Sequence, residues 1–155
     1  NGVAYSPPQV MFASTGKKPD RGDTKDSLGN IRETGVFSIS VVERAAAELM
    51  NATTQHFSRE VDEFSAAGAA KAECETIPCP RVAGAPATLE CRLTQVVQLA
   101  GRSNFVVFGE VTGVHLRDDC LIDGRFDVAR FGMVARLGYL DYSVVETVFT
   151  MERPD

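Results

Sequence analysis

The run Lys25-Asp26-Ser27-Leu-Gly-Asn30 sets an ammonium, a carboxylate and a hydroxyl at the head of a segment that can be helical. The start of a helix offers backbone N–H groups with no intrahelical partner and the positive end of the helix dipole. With the Lys25 charge and the Ser27 hydroxyl beside them, those groups would make a phosphate site. The same spacing also describes a surface helix capped by Asp26 or Ser27, with a solvated lysine. Ser14 and Thr15 close the run Gln9-Val-Met-Phe-Ala-Ser14 and offer two more hydroxyls, to a phosphate or a polyol, or simply to a turn. The stretch Arg136-Leu-Gly-Tyr-Leu-Asp-Tyr142 gathers a cation and two tyrosines, which could line a planar ligand or open an aromatic strand.

No other pattern in the chain points to side-chain catalysis. His56 and His115 have no evident partner in the sequence, and Asp62-Glu63 and Asp118-Asp119 are adjacent acids that point to different faces. Gly-x-Ser-x-Gly, Walker, dinucleotide-fingerprint and His-Glu-x-x-His motifs are all missing. The four cysteines, at 74, 79, 91 and 120, form no C-x-x-C pair, and read as free thiols of a reducing cytoplasm rather than a zinc site or disulfide framework. A formal net charge of −5 argues against nucleic acid or an anionic membrane as partner. An anionic cofactor would need a local cluster of donors such as the one at residues 25–27.

The elements that must hold these groups are mostly strands. Pro7-Pro8 suits the entry to a strand over 9–14, since neither proline can donate to a ladder. Residues 15–24 read as an exposed loop, and 24–35 as a short helix stopped by Gly35. Alternation predicts a strand over 36–42, and helices follow over 43–51 and 59–67, the second ended by Gly68. Residues 88–97 alternate, with Leu89, Cys91 and Leu93 on one face and Glu90, Arg92 and Thr94 on the other. Residues 104–116 form a long strand in which Gly109 and Gly113 mark bulges or bends, and 143–151 read as a last strand. Long strands with interior glycines and a few short helices predict a closed or partly closed antiparallel barrel in one domain, residues 1–155. No signal peptide or membrane-spanning apolar run is visible, and the abrupt opening at Asn1-Gly-Val-Ala-Tyr predicts that a native amino-terminal segment is missing.

Taken in order, these segments resemble the flavin reductase family of FMN-binding split-barrel proteins. The matches are Ser6-Pro7-Pro8-Gln-Val-Met-Phe-Ala-Ser14, the family's Pro-Pro strand; Lys25-Asp26-Ser27-Leu-Gly-Asn30-Ile31, similar to its Lys-Asp-Thr-x-x-Asn-Ile; and Gly35-Val-Phe-Ser-Ile-Ser40, with Ser40 where Asn is usual. Val61-Asp-Glu-Phe64, Pro80-Arg81-Val82 through Pro86 to Glu90-Cys91, Gly109-Glu-Val-Thr-Gly-Val-His115, and Ala135-Arg136-Leu137-Gly138 with Tyr142 complete the series. Tyr139 stands where a second glycine is usual.

The resemblance implies a mainly β fold, a six-stranded antiparallel Greek-key split β-barrel with short flanking helices. It implies FMN as cofactor, with Ser14, Thr15, Lys25, Asp26 and Ser27 toward the ribityl phosphate. Asn1 belongs to the segment before the Pro-Pro strand that also lines the flavin, and Arg136 and Tyr142 are flavin neighbours. It further implies a cytoplasmic homodimer with FMN near the interface, NADH or NADPH as transient hydride donor, and a monooxygenase or other redox partner. An electron carrier of flavoredoxin type that does not use nicotinamide, or a non-enzymatic barrel binding module, are the alternatives. Hydride chemistry on a bound flavin needs no triad, metal or acid pair from the chain.

Overall fold

The computed structural model describes residues 1–20, 22 and 24–154. In chain order, β1 (Gly2–Tyr5) and β2 (Pro8–Thr15) make a hairpin, and α1 (Asp26–Thr34) leads into β3 (Val36–Ser40). A 3-10 turn at Arg44–Ala46 runs into α2 (Ala47–Ala52), and α3 (Glu63–Ala67) precedes the small hairpin of β4 (Lys71–Glu73) and β5 (Pro80–Val82). The long pair β6 (Ala87–Gln98) and β7 (Asn104–Leu116) follows, then the short hairpins β8 (Leu121–Ile122) with β9 (Arg125–Phe126) and β10 (Met133–Arg136) with β11 (Tyr142–Val145). The fold is mainly β, and its centre is an antiparallel sheet in the order β1-β2-β7-β6-β3.

That sheet has five strands among the described residues, where six were expected. Past β3 the chain changes partner. Val41 N–H still donates to Ala87 O at 2.8 Å, but Val42 O accepts from Val134 N–H at 2.9 Å and Arg44 N–H donates to Gly132 O at 3.0 Å. Glu43 and Met133 form an isolated bridge there, so β10 meets the continuation of β3.

The expected helices are shorter than read. The Ala-rich 43–51 stretch opens as a 3-10 turn before α2, and 59–67 is helical only from Glu63. Asp62 sets that start: its carboxylate accepts from Phe64 N–H at 3.2 Å and Ser65 Oγ at 2.9 Å, an N-cap that fixes where the helix begins. The last strand covers 142–145 and not 143–151. Beyond it Val148, Phe149 and Met151 are exposed and are paired with no strand among the described residues.

The core lies where α1 packs on the sheet. Leu28 and Ile31, three apart and so on one helix face, are buried with Val10, Phe37, Cys91, Phe105 and Val107. Full burial of a side chain the size of Leu28 is worth about 1.5–3 kcal/mol, enough to hold a nine-residue helix that would be marginal alone. Gly35, in the left-handed conformation at φ 74°, ends the helix and turns the chain directly into β3.

Both glycines flagged within β7 sit at irregularities of the β6–β7 ladder. The register steps between Glu90 and Cys91, opposite Gly113, and between Leu93 and Gln95, opposite Gly109. At Gly109 a Cβ would lie 2.5 Å from the Phe37 ring and 3.2 Å from Arg92 O, so the close approach of the Phe37 ring to β7 requires glycine. Gly109→Ala is expected to destabilise by about 1–3 kcal/mol through overpacking of a buried ring, read as a lower midpoint in urea at unchanged m-value. No helix among the described residues is long and apolar enough to cross a membrane.

Candidate functional site

A cavity of about 820 Å³ opens between α1, β3, α2 and β5. Its walls are largely apolar, with Phe12, Phe37, Ile39, Leu49, Met50 and Phe64 among them, and its polar rim includes Ser27, Asn30, Ser38, Ser40 and Glu43. Ser40, where asparagine was expected, shares a 3.0 Å hydrogen bond with Thr88. Ser38 Oγ donates to Pro80 O at 2.8 Å and ties β3 to β5 across the wall. Arg117 ties two residues of the wall together: it donates to both Glu43 oxygens at 2.9 and 3.0 Å and to Gly84 O at 2.8 Å. The Glu43 and Asp119 hydrogen bonds outweigh burial and hold this guanidinium above its ordinary range, so it stays charged.

Of the residues expected to bind, Ser27 alone lines this cavity. The helix start differs in detail from the expectation. Lys25 occupies the N-cap position, no side chain caps the helix, and neither Asp26 nor Ser27 serves as the cap. The Asp26 carboxylate pairs instead with Lys18 at 2.6 Å, and Lys18 also reaches Glu63 at 3.1 Å. The Asp26 hydrogen bond, opposed by burial, holds the Lys18 ammonium above its usual value. That ion pair fastens the loop leaving β2 to the first turn of α1. The sequence does not reveal this role of Lys18, because its carboxylate partners stand 8 and 45 residues away.

Ser14 lies at the other end of the same loop, opposite Phe105 on β7, and Arg32 of α1 stacks over the Phe105 ring at 4.6 Å. Ser14 is 7 % exposed, and its hydroxyl has no hydrogen-bond partner among the described residues. A hydroxyl so placed calls for a polar partner, since leaving it unmade costs about 1–3 kcal/mol. Thr15 and Lys25 are exposed. An uncapped helix start, two free cationic or hydroxyl groups beside it and an orphaned buried hydroxyl form a donor set suited to a phosphate ester.

Arg136 and Tyr142 face each other across the β10–β11 hairpin, the guanidinium 5.8 Å from the ring centroid. Asn1 is exposed and joins the edge of β2, its O accepting from Met11 N–H at 2.8 Å. Neither group lines the cavity. At the hairpin tip Tyr139 has φ 57° and is 94 % exposed. The resemblance placed a glycine here, and the left-handed backbone is the reason a glycine fits. Tyr139→Gly is expected to stabilise the chain by about 1 kcal/mol, measured by equilibrium unfolding, because it relieves a left-handed conformation without uncovering any buried contact.

The most buried polar group was not singled out from sequence. Strand alternation put Glu90 on the polar face of β6 with Arg92 and Thr94, yet Glu90 and its neighbour Cys91 are both 0 % exposed. The connection between β4 and β5 covers that face. Glu90 accepts from Glu75 N–H at 2.8 Å, Thr76 N–H at 2.6 Å and Thr76 Oγ1 at 2.5 Å, and pairs closely with His115 Nε2. Thr76 Oγ1 also meets Thr112 Oγ1 at 2.6 Å, and Arg92 donates to Thr76 O at 2.9 Å. His115 thus has a partner that its sequence context did not reveal, as does His56, 3.4 Å from Asp20.

Burial works to raise the Glu90 carboxyl, but hydrogen bonds from Thr76, Glu75 and His115 prevail and hold it at about 2, down from 4.5. A carboxyl whose folded value lies below its unfolded one stabilises the fold above the unfolded value, and that contribution disappears as pH falls through the folded value. Glu90→Gln is therefore expected to cost about 3 kcal/mol at neutral pH. The gap from the wild type should narrow as pH falls from about 4.5 toward 2, followed by denaturant unfolding across that window.

Residues 1–130 match the model of the flavin reductase like domain. The chain belongs to that family. A protein of Deinococcus radiodurans is 39 % identical over 140 residues, covering 88 % of this chain and 60 % of its own length. The chain thus spans about three-fifths of that relative. Among solved structures, nitrilotriacetate monooxygenase component B from Bacillus cereus is similar at a TM-score of 0.88 and 24 % identity, over 97 % of this chain and 75 % of that one. The 2-nitrobenzoate 2-nitroreductase of Pseudomonas fluorescens gives 0.83 and 28 %, over 99 % and 73 %. An FMN-binding protein of Thermus thermophilus gives 0.75 and 22 %, over 97 % and 77 %.

Proposed function

We propose that the chain binds FMN and acts as an NADH- or NADPH-dependent flavin oxidoreductase. The observation that carries this is the uncapped start of α1, with Lys25 and Ser27 at hand and the Ser14 hydroxyl buried without a partner, in a chain of the flavin reductase like family. Bound FMN would supply the acceptor for a hydride, which no side chain of this protein provides.

The chain's own part is binding and orientation. Lys25 offsets phosphate charge, the free N–H groups of the first turn and the Ser27 hydroxyl donate to phosphate oxygens, and Ser14 and Thr15 donate to the phosphate or ribityl chain. Asp26 works indirectly, since its charge is engaged by Lys18 and holds the loop against the helix. Asn1, Arg136 and Tyr142 lie off the cavity, and only the family resemblance supports them as flavin neighbours. Apolar cavity walls exclude water from whatever lies between them.

The monooxygenase component among the similar structures supports a partner that consumes reduced flavin. In this reading β10 is the sixth strand of a split barrel, the domain pairs with a second copy near the flavin, and the exposed Leu137, Leu140 and Phe149 are surface such a copy could cover.

The test is spectroscopic. Protein reconstituted with FMN should lose its visible flavin band when NADH or NADPH is added without oxygen. A yellow protein that neither reductant bleaches would limit the function to electron transfer between proteins, and one that takes up no FMN would overturn the proposal. Lys25→Ala and Ser27→Ala are each expected to weaken FMN binding by about 1 kcal/mol or more, roughly fivefold or greater in Kd by fluorescence titration.

A further inference from the structure

We infer that Cys74 and Cys79 are a redox-active dithiol that closes into a disulfide across the β4–β5 hairpin when hydrogen peroxide reaches the cavity. The placement follows from register. Lys71 faces Val82, Ala72 faces Arg81 and Glu73 faces Pro80, so the next residues outward on the two arms are Cys74 and Cys79. Facing residues of an antiparallel pair hold their Cβ atoms about 4.5–5.5 Å apart, and a disulfide needs about 3.5–4.5 Å, a small closure at the turn end of the hairpin, one step past its last pair.

The turn between the two cysteines is already held in a closed shape. Glu90 binds the Glu75 and Thr76 N–H groups, Arg92 binds Thr76 O, and Cys79 N–H donates to Ile77 O at 2.9 Å. These contacts draw the arms together without using either sulfur.

Exposure separates this pair from the other two thiols. Cys91 and Cys120 are sealed, at 0 % and 1 % exposed, whereas Cys74 and Cys79 are half-buried. Cys79 forms part of the cavity wall beside Pro78 and Pro80, so a small oxidant in the cavity meets it directly. Cys74 is set back. Burial first, and then the Glu90 charge, push its thiol up to about 11, so it is protonated at rest and must give up that proton to the departing hydroxyl as it attacks.

In the first step the Cys79 thiolate attacks one peroxide oxygen. The O–O bond breaks, a sulfenic acid forms at Cys79 and the other oxygen leaves as water after taking up a proton. In the second, Cys74 sulfur attacks Cys79 sulfur. The S–O bond breaks, the S–S bond forms, and the hydroxyl departs with the Cys74 proton as water. Two thiols and one peroxide give one disulfide and two waters. A dithiol reductant reverses the change. The product would lock the segment carrying Pro78, Cys79 and Pro80, and with it one wall of the cavity.

The experiment treats the full chain with an equivalent of hydrogen peroxide, with and without added FMN, then denatures it and counts thiols. Half of the four thiols should be lost, and dithiothreitol should restore them. Trypsin releases both cysteines in one peptide, Ala72 through Arg81, so without reduction that peptide should appear lighter by two hydrogen atoms and resist fragmentation between the sulfurs. Cys74→Ser should leave a sulfenic acid at Cys79 that dimedone traps, and Cys79→Ser should leave Cys74 unoxidised. Four surviving thiols, a sulfinic acid at Cys79 in the wild type, or a cross-link to Cys91 would each overturn the inference. The wild-type peptide map decides it even where a variant does not fold. Because the assay reads sulfur and not flavin, its outcome stands apart from that of the proposed reductase activity.

Discussion

A carboxylate removed from water must find donors, and Glu90 finds all of its donors on other elements. It sits in β6, takes two backbone N–H groups and a hydroxyl from the turn between β4 and β5, and pairs with His115 on β7. The hydrogen bonds do more than satisfy one side chain. They fix the small β4–β5 hairpin, which has only three residue pairs of its own, against the largest strand pair in the molecule. Residues 78–86 leave that turn and form a wall of the cavity. The placement of the wall therefore depends on a charge whose own burial is unfavourable, and the geometry is specified because any other arrangement would strand that charge.

The two regions that bear on binding are built by different physics. The cavity is walled by apolar side chains, Phe12, Phe37 and Ile39 from the sheet and Leu49, Met50 and Phe64 beyond it. The start of α1 is polar and held by the Lys18–Asp26 pair. Ser27 is where they meet, one hydroxyl at the edge of both. A ligand with an anionic end and a flat apolar end matches this division, and that match, not any single residue, gives the proposed cofactor its physical sense.

Local patterns carried most of the fold. The 104–116 strand was readable to the residue, and 88–97 to within a residue at each end, because β-branched and aromatic positions alternate there and glycines punctuate them. Gly35 and Gly68 announced helix ends through the backbone conformation they adopt. What was not legible depended on contacts distant in sequence. Alternation predicts which side of β6 Glu90 occupies, but not that a hairpin 14 or 15 residues earlier covers that side with N–H groups. Helix propensity suggested 43–51, but backbone pairing of the 41–44 stretch with Ala87, Gly132 and Val134 delays the α-helix to Ala47. The candidate site was legible as a list of donors, since Lys25, Asp26 and Ser27 are consecutive. That Asp26 is already engaged by Lys18 was not.

The Arg117–Glu43 contact joins residues 74 apart and anchors one residue of the cavity wall. Contacts that close long loops are reached late in folding, after the hairpins around them. This contact is also partly exposed, with Arg117 and Glu43 side chains 31 % and 21 % accessible, and contacts of that kind can open locally without global unfolding. The cavity thus sits beside a latch that can part while the β6–β7 pair stays intact. Any molecule that prefers the closed form draws on that equilibrium, so occupancy of the cavity and protection of the backbone around Gly84 and Arg117 from hydrogen exchange are two readings of one free energy.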